Sequence, residues 1–166
     1  ISDHTVRKYL DILEGTFMVR VLQPWFENIR KRQVKSPKIY FRDSGILHNL
    51  LGIRTKKNLE LNPKIGASWE GYCLEEILKF WHIPQNECFY WRTQAGAELD
   101  LLVFKDNYKY GFEFKYSSSP KITNSMSSSI HDLALDKLYL IYPGEKSFYL
   151  NDNIFVTNLD YFINNF

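Results

Sequence analysis

Cysteine is scarce in this sequence, and so is net charge. The 166 residues contain two cysteines, Cys73 and Cys88, which form neither a C-x-x-C pair nor a zinc-binding pattern with any of the four histidines. This cysteine usage fits a reducing, cytoplasmic setting. The net charge of +2 is too small to indicate nucleic-acid binding by itself, whereas the hydrophobic fraction of 45% is sufficient for a packed core.

Long apolar runs, a secretory signal and a phosphate-binding loop are also missing. No apolar stretch is long enough to span a bilayer, so we expect a cytoplasmic protein without a membrane partner. Gly66 and Gly71 have the glycine spacing of a P-loop, but Tyr72 and Cys73 stand where its lysine and hydroxyl residue are required. The sequence begins without Met at a predicted helix, which indicates a fragment of a longer protein.

The middle of the chain predicts a β-hairpin. Two runs of alternating polarity, residues 98–104 and 108–115, flank a polar break at residues 105–107. Because a slip of one residue would expose every apolar side chain, the apolar faces should fix the register of the two strands. Those faces carry Leu99, Leu101 and Val103 on the first strand and Phe112 and Phe114 on the second.

The opposite faces of this hairpin are charged. Asp100 shares a face with Glu98 on the first strand, and Glu113 shares a face with Lys115 on the second. Pairing of the strands would therefore bring Asp100, Glu113 and Lys115 together at one end. Two carboxylates supply hard oxygen ligands for Mg²⁺, and a nearby ammonium can orient an attacking water. The alternative is an ordinary amphipathic hairpin whose charged face is solvated.

The N-terminal segment combines a predicted helix with a basic hairpin. The helix occupies residues 2–13, with Ser2 or Asp3 as its N-cap, and β-like runs follow at residues 17–22 and 38–41. This combination is typical of the last half of a winged helix, which contacts DNA. The alternative is a solvated basic loop. The cations predicted to bind nucleic acid are Arg7, Lys8, Arg30, Lys31, Arg32, Lys35, Lys38 and, at the end of a later strand, Arg92.

Four phrases occur in a fixed order along the chain, namely KSPKIYFRDSGILHNLLGI, GASWEGYCLEEIL, FYWRTQAGAELDLLV and FEFKYS. This ordered set resembles the C-terminal region, known as DUF4143, of a prokaryotic family of AAA-type P-loop ATPases. The Asp…Glu-x-Lys pattern resembles the core of the PD-(D/E)xK nuclease superfamily. The resemblance implies an ATP-binding ATPase domain outside this sequence, followed by a winged helix and a nuclease-like domain.

The resemblance also implies roles for the acidic residues. Glu70, Asp100 and Glu113 would hold Mg²⁺ or Mn²⁺. Asp100, Glu113 and Lys115 would be catalytic, with Lys115 orienting the attacking water. Glu70 matches the glutamate of the superfamily's first core helix, although a carboxylate in a first helical turn is also favoured by the helix dipole alone. The other glutamates that compete for its role are Glu75 and Glu76.

We expect a mixed α/β (α+β) fold in three parts. Residues 1–45 form the partial winged helix, residues 46–65 a short helix and a linker, and residues 66–166 a nuclease-like domain with α-β-β-β-α-β order. The second core helix falls within residues 123–135, where Ser and Asn are frequent. Because their helix propensity is poor, we expect this helix to be short, frayed or irregular.

Three functions are consistent with these patterns. The first is a Mg²⁺-dependent endonuclease, or another phosphodiesterase, that acts on DNA. The second is a catalytically inactive module through which the ATPase binds nucleic acid or a partner protein. The third is a structural domain for dimerisation or regulation. The expected partners are nucleic acid, with DNA favoured, and the chain's own ATPase domain, and a homo-oligomer is left open.

Overall fold

The first part of the chain forms three helices and a two-stranded hairpin. The computed structural model describes residues 2–166. Ser2 caps the first helix through a bond from the Thr5 backbone N–H, as predicted. The segment predicted as a linker contains a short helix that the sequence did not predict, with Thr55 as its N-cap. The elements are α1 (Asp3–Gly15), β1 (Val19–Leu22), β2 (Lys38–Phe41), α2 (Ser44–Leu50) and α3 (Lys56–Glu60).

The rest of the chain forms a mixed sheet flanked by helices. Its elements are α4 (Ile65–Phe80), a 3₁₀ turn (Gln85–Glu87), β3 (Cys88–Arg92), β4 (Glu98–Lys105), β5 (Tyr108–Phe114), α5 (Asn124–Leu133), β6 (Lys137–Ile141), β7 (Phe148–Asn151), β8 (Ile154–Thr157) and α6 (Leu159–Asn165). The predicted mixed α+β class is confirmed. Across residues 2–166, no helix has both the length and the apolar character that crossing a lipid bilayer requires.

The six strands of the sheet lie in the order β3-β4-β5-β6-β8-β7. The β3–β4, β4–β5 and β7–β8 pairs are antiparallel, whereas the β5–β6 and β6–β8 pairs are parallel. The predicted β4–β5 hairpin is confirmed. It turns at Asp106 and Asn107, whose φ angles of 52° and 66° suit the central positions of a type I′ turn.

Each face of the sheet is covered by its own apolar layer. Helices α4 and α6 cover one face, where Leu74 and Phe162 pack on strand residues including Leu101, Val103, Phe112 and Phe114. Helix α5 covers the other face, where Met126 and Leu133 pack on strand residues including Leu99, Leu102, Leu138 and Leu140. Full burial of such side chains contributes about 1.5–3 kcal/mol each, so the sheet is firmly held on both sides.

The prediction that Leu99 shares a face with Leu101 and Val103 is wrong. Leu99 packs in the layer under α5, whereas Leu101 and Val103 pack in the layer under α4. The register between β3 and β4 shifts near Trp91, where β4 contains one extra residue. This β-bulge breaks the strict alternation of faces, and it lies at Asp100. The irregular point of the sheet therefore coincides with a predicted site residue.

The prediction of a short, frayed or irregular second core helix is also wrong, because α5 is a regular helix of 10 residues. The Thr123 hydroxyl caps it by accepting a 3.3 Å bond from the Met126 N–H. One face is completely enclosed, with Met126, Ser129 and Leu133 all at 0% exposure. Burial of this face outweighs the poor helix propensity of the serines.

The long connection between β1 and β2, residues 23–37, lies along the free edge of β3. The Val34 N–H donates to the Arg92 carbonyl at 2.9 Å, and the Gln94 N–H donates to the Arg32 carbonyl at 2.8 Å. These bonds cover part of a strand edge that would otherwise be open. They also attach the basic segment to the sheet.

Candidate functional site

Strands β4 and β5 separate at Asp100. Their ladder of paired residues ends at Leu101. Beyond that point, Asp100 Oδ2 accepts a 3.1 Å hydrogen bond from the backbone N–H of Phe114. The chain after Phe114 continues along β6, since the Lys115 N–H donates to the Ile141 carbonyl at 3.0 Å. Asp100 is therefore buried, at 7% exposure, where two strands diverge.

A lysine from the N-terminal hairpin lies beside Asp100. The Lys38 Nζ atom is 3.0 Å from Glu70 Oε1, 2.5 Å from Glu98 Oε1 and 3.3 Å from Asp100 Oδ1. It is also 5.5 Å from the centroid of the Tyr90 ring, within cation–π range. An ammonium has three N–H donors, so three carboxylates can satisfy it completely. The single positive charge of Lys38, on β2, thus contacts three carboxylates, which lie on α4 and β4.

Strand β2 brings a second polar side chain to the same place. Tyr40 follows Lys38 by two residues and therefore faces the same side of the strand. Its hydroxyl donates to Glu70 Oε1 at 2.5 Å. This approach depends on Gly71 of α4, because a Cβ atom there would lie 3.3 Å from Tyr40 Cδ1. We call the group the Lys38 cluster, and it consists of Lys38, Tyr40, Glu70, Glu98 and Asp100.

Glu113 and Lys115 form an ion pair next to Asp100. The Lys115 Nζ atom is 3.1 Å from Glu113 Oε2. Glu113 is 3% exposed, whereas the Lys115 side chain is 43% exposed and open to solvent. The structure thus brings Asp100, Glu113 and Lys115 close enough to interact electrostatically. Glu70 also belongs to this group, because its charge acts on Asp100 and its carboxylate forms an ion pair with Lys38.

Burial and crowding raise the pKa of two carboxyl groups in this site. Burial raises the pKa of Asp100, and the neighbouring Glu70 charge raises it further, against the attraction of Lys38 and Lys115. Burial and the Asp100 charge raise the pKa of Glu113 to about 8, although Lys115 acts in the opposite direction. The two ammonium groups therefore do not compensate fully for the buried negative charge. Perturbed carboxyls of this kind are concentrated at functional sites.

The donor chemistry of the site fits a hard divalent cation. Carboxylate oxygens are the ligands that Mg²⁺ and Mn²⁺ prefer, and Asp100 and Glu113 supply them in an environment with surplus negative charge. With the side chains as they stand, no three His, Cys, Asp or Glu groups within residues 2–166 converge closely enough to hold an ion. The Lys38 ammonium lies among three of the acids instead. Joint binding by Glu70, Asp100 and Glu113 would require Lys38 to move.

The cations predicted to bind nucleic acid occupy different environments. Lys38 lies in the Lys38 cluster, Lys31 pairs with Asp132 at 2.6 Å, and Arg92 Nε is 3.6 Å from Glu98 Oε2. The remaining members of the set are exposed on α1 and on the connection between β1 and β2, and they are Arg7, Lys8, Arg30, Arg32 and Lys35. Their contact with nucleic acid stays a prediction.

Tyr40 and Glu98 are not among the site residues predicted from the sequence, and Lys38 is predicted there only as a nucleic-acid contact. Lys38 reaches carboxylates that are 32 and 62 residues away along the chain. Contacts at such separations leave no local pattern. One usable signal is the period of two, which puts Lys38 and Tyr40 on one face of a predicted strand and Glu98 on the face of Asp100.

Two families match different parts of the chain, and the boundary between the two matches lies near α3. Residues 65–162 match the family described as "Domain of unknown function (DUF4143)", and this match covers more than half of the chain. The chain belongs to the DUF4143 family. Residues 1–57 match a second family, "Domain of unknown function (DUF8612)". In the Lys38 cluster, Lys38 and Tyr40 therefore belong to the DUF8612 part, and the carboxylates belong to the DUF4143 part.

Two curated relatives are similar to this DUF4143 chain over almost its whole length. They are "Uncharacterized protein Rv2008c" from Mycobacterium tuberculosis and "Uncharacterized protein Mb2031c" from Mycobacterium bovis, each 49% identical over 160 residues, or 96% of the chain. The chain spans about a third (36%) of the length of these relatives. No solved structure matches the chain at a significant level.

Proposed function

We propose that this DUF4143 chain is the nucleic-acid-acting part of a longer protein and that it hydrolyses phosphodiester bonds of DNA at Asp100 and Glu113. The observation that carries the proposal is the pair of buried carboxyls at the diverging strands, with the Lys115 ammonium 3.1 Å from Glu113. Two adjacent carboxyls with raised pKa and a solvent-accessible ammonium suit metal-assisted phosphodiester hydrolysis.

Each site residue has a separate role in the proposed reaction. Asp100 and Glu113 would hold Mg²⁺ or Mn²⁺, with Glu70 as a third ligand, and the bound ion would polarise the phosphate and acidify a water. The Phe114 N–H engages Asp100 Oδ2 and so fixes the orientation of that carboxylate. Lys115 reaches solvent and would donate hydrogen bonds to the attacking water or to a phosphate oxygen.

The order of the elements supports a PD-(D/E)xK-like core. From α4 onward the chain runs helix, three strands, helix and strand. Glu70 lies on that first helix, and Asp100 and Glu113 lie on the second and third strands. In the same proposal, α1 and the β1–β2 hairpin act as a partial winged helix that contacts DNA phosphates. An AAA-type ATPase domain of the longer protein would bind ATP, as the resemblance implies.

The test is cleavage of plasmid and single-stranded DNA with Mg²⁺ or Mn²⁺ by the wild type, Asp100→Asn and Lys115→Ala. We expect metal-dependent cleavage by the wild type and a loss of about 100-fold or more in both variants, in line with the removal of a metal ligand or an electrostatic donor. Asp152→Asn removes an exposed carboxylate of the β7–β8 turn and should cleave like the wild type. Equal cleavage by the wild type and Asp100→Asn would contradict the proposal.

A catalytically inactive module that binds nucleic acid or a partner is the second candidate. The observation that favours it is the position of the Lys38 ammonium, which satisfies three of the carboxylates without any metal. In that case the wild type cleaves no DNA with any divalent ion. Asp100→Asn then binds DNA as tightly as the wild type, which a gel-shift titration measures.

A further inference from the structure

The position of Lys38 carries an inference about regulation of the acidic site, and it rests on the proposed function. We propose that Lys38 is an autoinhibitory counter-ion: its ammonium closes the acidic site, and its withdrawal by the N-terminal hairpin admits a divalent cation. Three carboxylate oxygens surround the Lys38 Nζ atom at 2.5–3.3 Å. A second cation cannot share Glu70 and Asp100 with the ammonium at such distances without strong repulsion.

The environment of Lys38 is built to hold a charged group. Its side chain is only 22% exposed, and its ammonium donates to Glu70 and Asp100 and forms an ion pair with Glu98. The neighbouring carboxylates of Glu70 and Asp100, at 3.0 and 3.3 Å, favour the charged form of the Lys38 amine. The group therefore remains a cation throughout the physiological range. Lys38 thus acts as a tethered competitor for any cation that binds the same acids.

Lys38 lies at one end of a hairpin that otherwise packs on the main sheet through Leu22 and Tyr40. Strand β2 pairs only with β1 in a two-stranded sheet, separate from the six-stranded one. Lys38 is the first residue of β2 and pairs with Leu22 at the end of that ladder. Ile39 beside it is 54% exposed. Withdrawal of the ammonium therefore requires a change of side chain and strand end, and not unfolding of the sheet that holds Asp100 and Glu113.

The contact between Lys38 and the carboxylates joins the two family regions of the chain. Lys38 lies in the part that matches DUF8612, and the carboxylates lie in the part that matches DUF4143. Any change in how these two parts sit together moves the ammonium relative to Asp100. Occupation of the acidic site by metal and seating of the hairpin then oppose each other, as linkage requires.

The main experiment measures Mn²⁺ binding by the wild type, Lys38→Met and Lys56→Met with electron paramagnetic resonance. Methionine keeps the length of the side chain and removes its charge. We expect Lys38→Met to bind Mn²⁺ at least about tenfold more tightly than the wild type, a difference of about 1.4 kcal/mol. Lys56, whose side chain is 89% exposed and which lies outside the cluster, is the matched control and should leave the affinity unchanged.

A second measurement uses the wild type alone and so does not depend on folding of Lys38→Met. Acetylation of each lysine by an amine-reactive ester is followed by mass spectrometry with and without Mn²⁺. We expect Mn²⁺ to increase the reactivity of Lys38 by several-fold and to leave Lys56 unchanged. In Asp100→Asn the increase should disappear, because the metal no longer displaces the ammonium.

The outcomes separate this inference from the proposed function. If the wild type binds Mn²⁺ through Asp100 but Lys38→Met binds it no more tightly, the inference is overturned and the proposed metal site stands. If Lys38 reactivity does not respond to bound Mn²⁺, the same conclusion holds. If neither the wild type nor Lys38→Met binds Mn²⁺, both the metal site and its regulation are overturned.

Discussion

Two buried ion clusters join the N-terminal hairpin to the rest of the molecule, and they are built differently. In the first, the Arg20 guanidinium donates from Nε and Nη2 to both oxygens of Glu75, and its Nη1 donates to Gln85 Oε1 at 3.0 Å. One guanidinium meets one carboxylate in a bidentate geometry, and Arg42 Nη1 lies 4.0 Å from Glu75 Oε2 as a second, more distant cation. In the second, the single ammonium of Lys38 meets three carboxylates.

The Arg20–Glu75 pair is a structural ion pair, whereas the site around Lys38 contains more negative than positive charge. The Arg20–Glu75 pair satisfies both of its members and leaves no surplus for a ligand. Around Lys38 the acids outnumber the ammonium, and burial together with a neighbouring carboxylate charge raises the pKa of Asp100 and of Glu113. A surplus of buried negative charge is destabilising by itself, and carboxyls perturbed in this way are concentrated at functional sites.

The largest effect that sharpens this comparison is expected for Glu75→Gln. The change leaves the Arg20 charge, which is 6% exposed, without its counter-charge. We expect a loss of about 3 kcal/mol in the free energy of unfolding, measured with urea. Glu145→Gln, at an exposed position, is the control and should stay within about 0.5 kcal/mol of the wild type. A loss of less than about 1 kcal/mol for Glu75→Gln would mean that the matched pair is not structural.

The next effect is the pH dependence that Glu113 imposes on the metal-free protein. Burial, together with the Asp100 charge, raises the pKa of Glu113 in the folded state from 4.5 to about 8. Between these values the folded state holds a proton that the unfolded state has lost, so stability falls as the pH rises through this window. The fall should amount to several kcal/mol, since one pKa unit corresponds to about 1.4 kcal/mol.

Glu113→Gln tests the origin of that fall, because glutamine does not titrate. Urea unfolding of this variant between pH 5 and pH 8 should depend less steeply on pH than that of the wild type, and the remaining slope should come from Asp100, whose pKa burial also raises. Glu145→Gln should retain the wild-type slope. A slope in Glu113→Gln as steep as that of the wild type would assign the effect to another group.

A smaller effect is expected from the exposed cations of the β1–β2 connection, which belong to neither cluster. If this segment contacts DNA phosphates, each contact releases counter-ions and contributes about 0.9 to the slope of log affinity against log salt. Replacement of Arg30, Lys31 and Arg32 by alanine should lower DNA affinity roughly tenfold at physiological salt and flatten the slope. Fluorescence anisotropy at several salt concentrations measures both. An unchanged slope would exclude this segment from the DNA interface.

The smallest effect is expected for Asp100→Asn in the absence of metal. Removal of one surplus charge relieves repulsion with Glu70 and Glu113, and the asparagine carbonyl can still accept the Phe114 N–H. We expect the free energy of unfolding to stay within about 1 kcal/mol of the wild type, or to rise. The same acid-to-amide change thus has opposite consequences in the two clusters. A loss comparable with that of Glu75→Gln would remove the distinction between them.

Local signals were enough to predict much of the fold. Helix α1 follows from its Ser2 cap and helical spacing, and the β4–β5 hairpin follows from alternation and the Asp106–Asn107 turn. Local signals gave wrong predictions where tertiary packing determines the structure. Burial of Met126 and Leu133 makes α5 a regular helix despite its serines, and one extra residue in β4 moves Leu99 to the other face.

For the candidate site too, the sequence was sufficient to predict some of the residues and not others. Asp100, Glu113 and Lys115 come from two adjacent strands joined by a short turn, so the predicted hairpin brings them to one end, although the bulge at Asp100 breaks the assumed alternation. The approach of Lys38 is set by how the hairpin packs against α4, including the space that Gly71 leaves for Tyr40. No local pattern in the sequence encodes that packing.

The most direct test of the surplus-charge account is the stoichiometry and affinity of Mn²⁺ binding, measured by electron paramagnetic resonance on the wild type, Asp100→Asn and a still-folded Glu75→Gln. The account predicts that the wild type binds Mn²⁺ at millimolar or lower concentration, that Asp100→Asn does not, and that Glu75→Gln binds like the wild type. Absence of binding by the wild type at millimolar Mn²⁺, or binding that persists in Asp100→Asn, would contradict it.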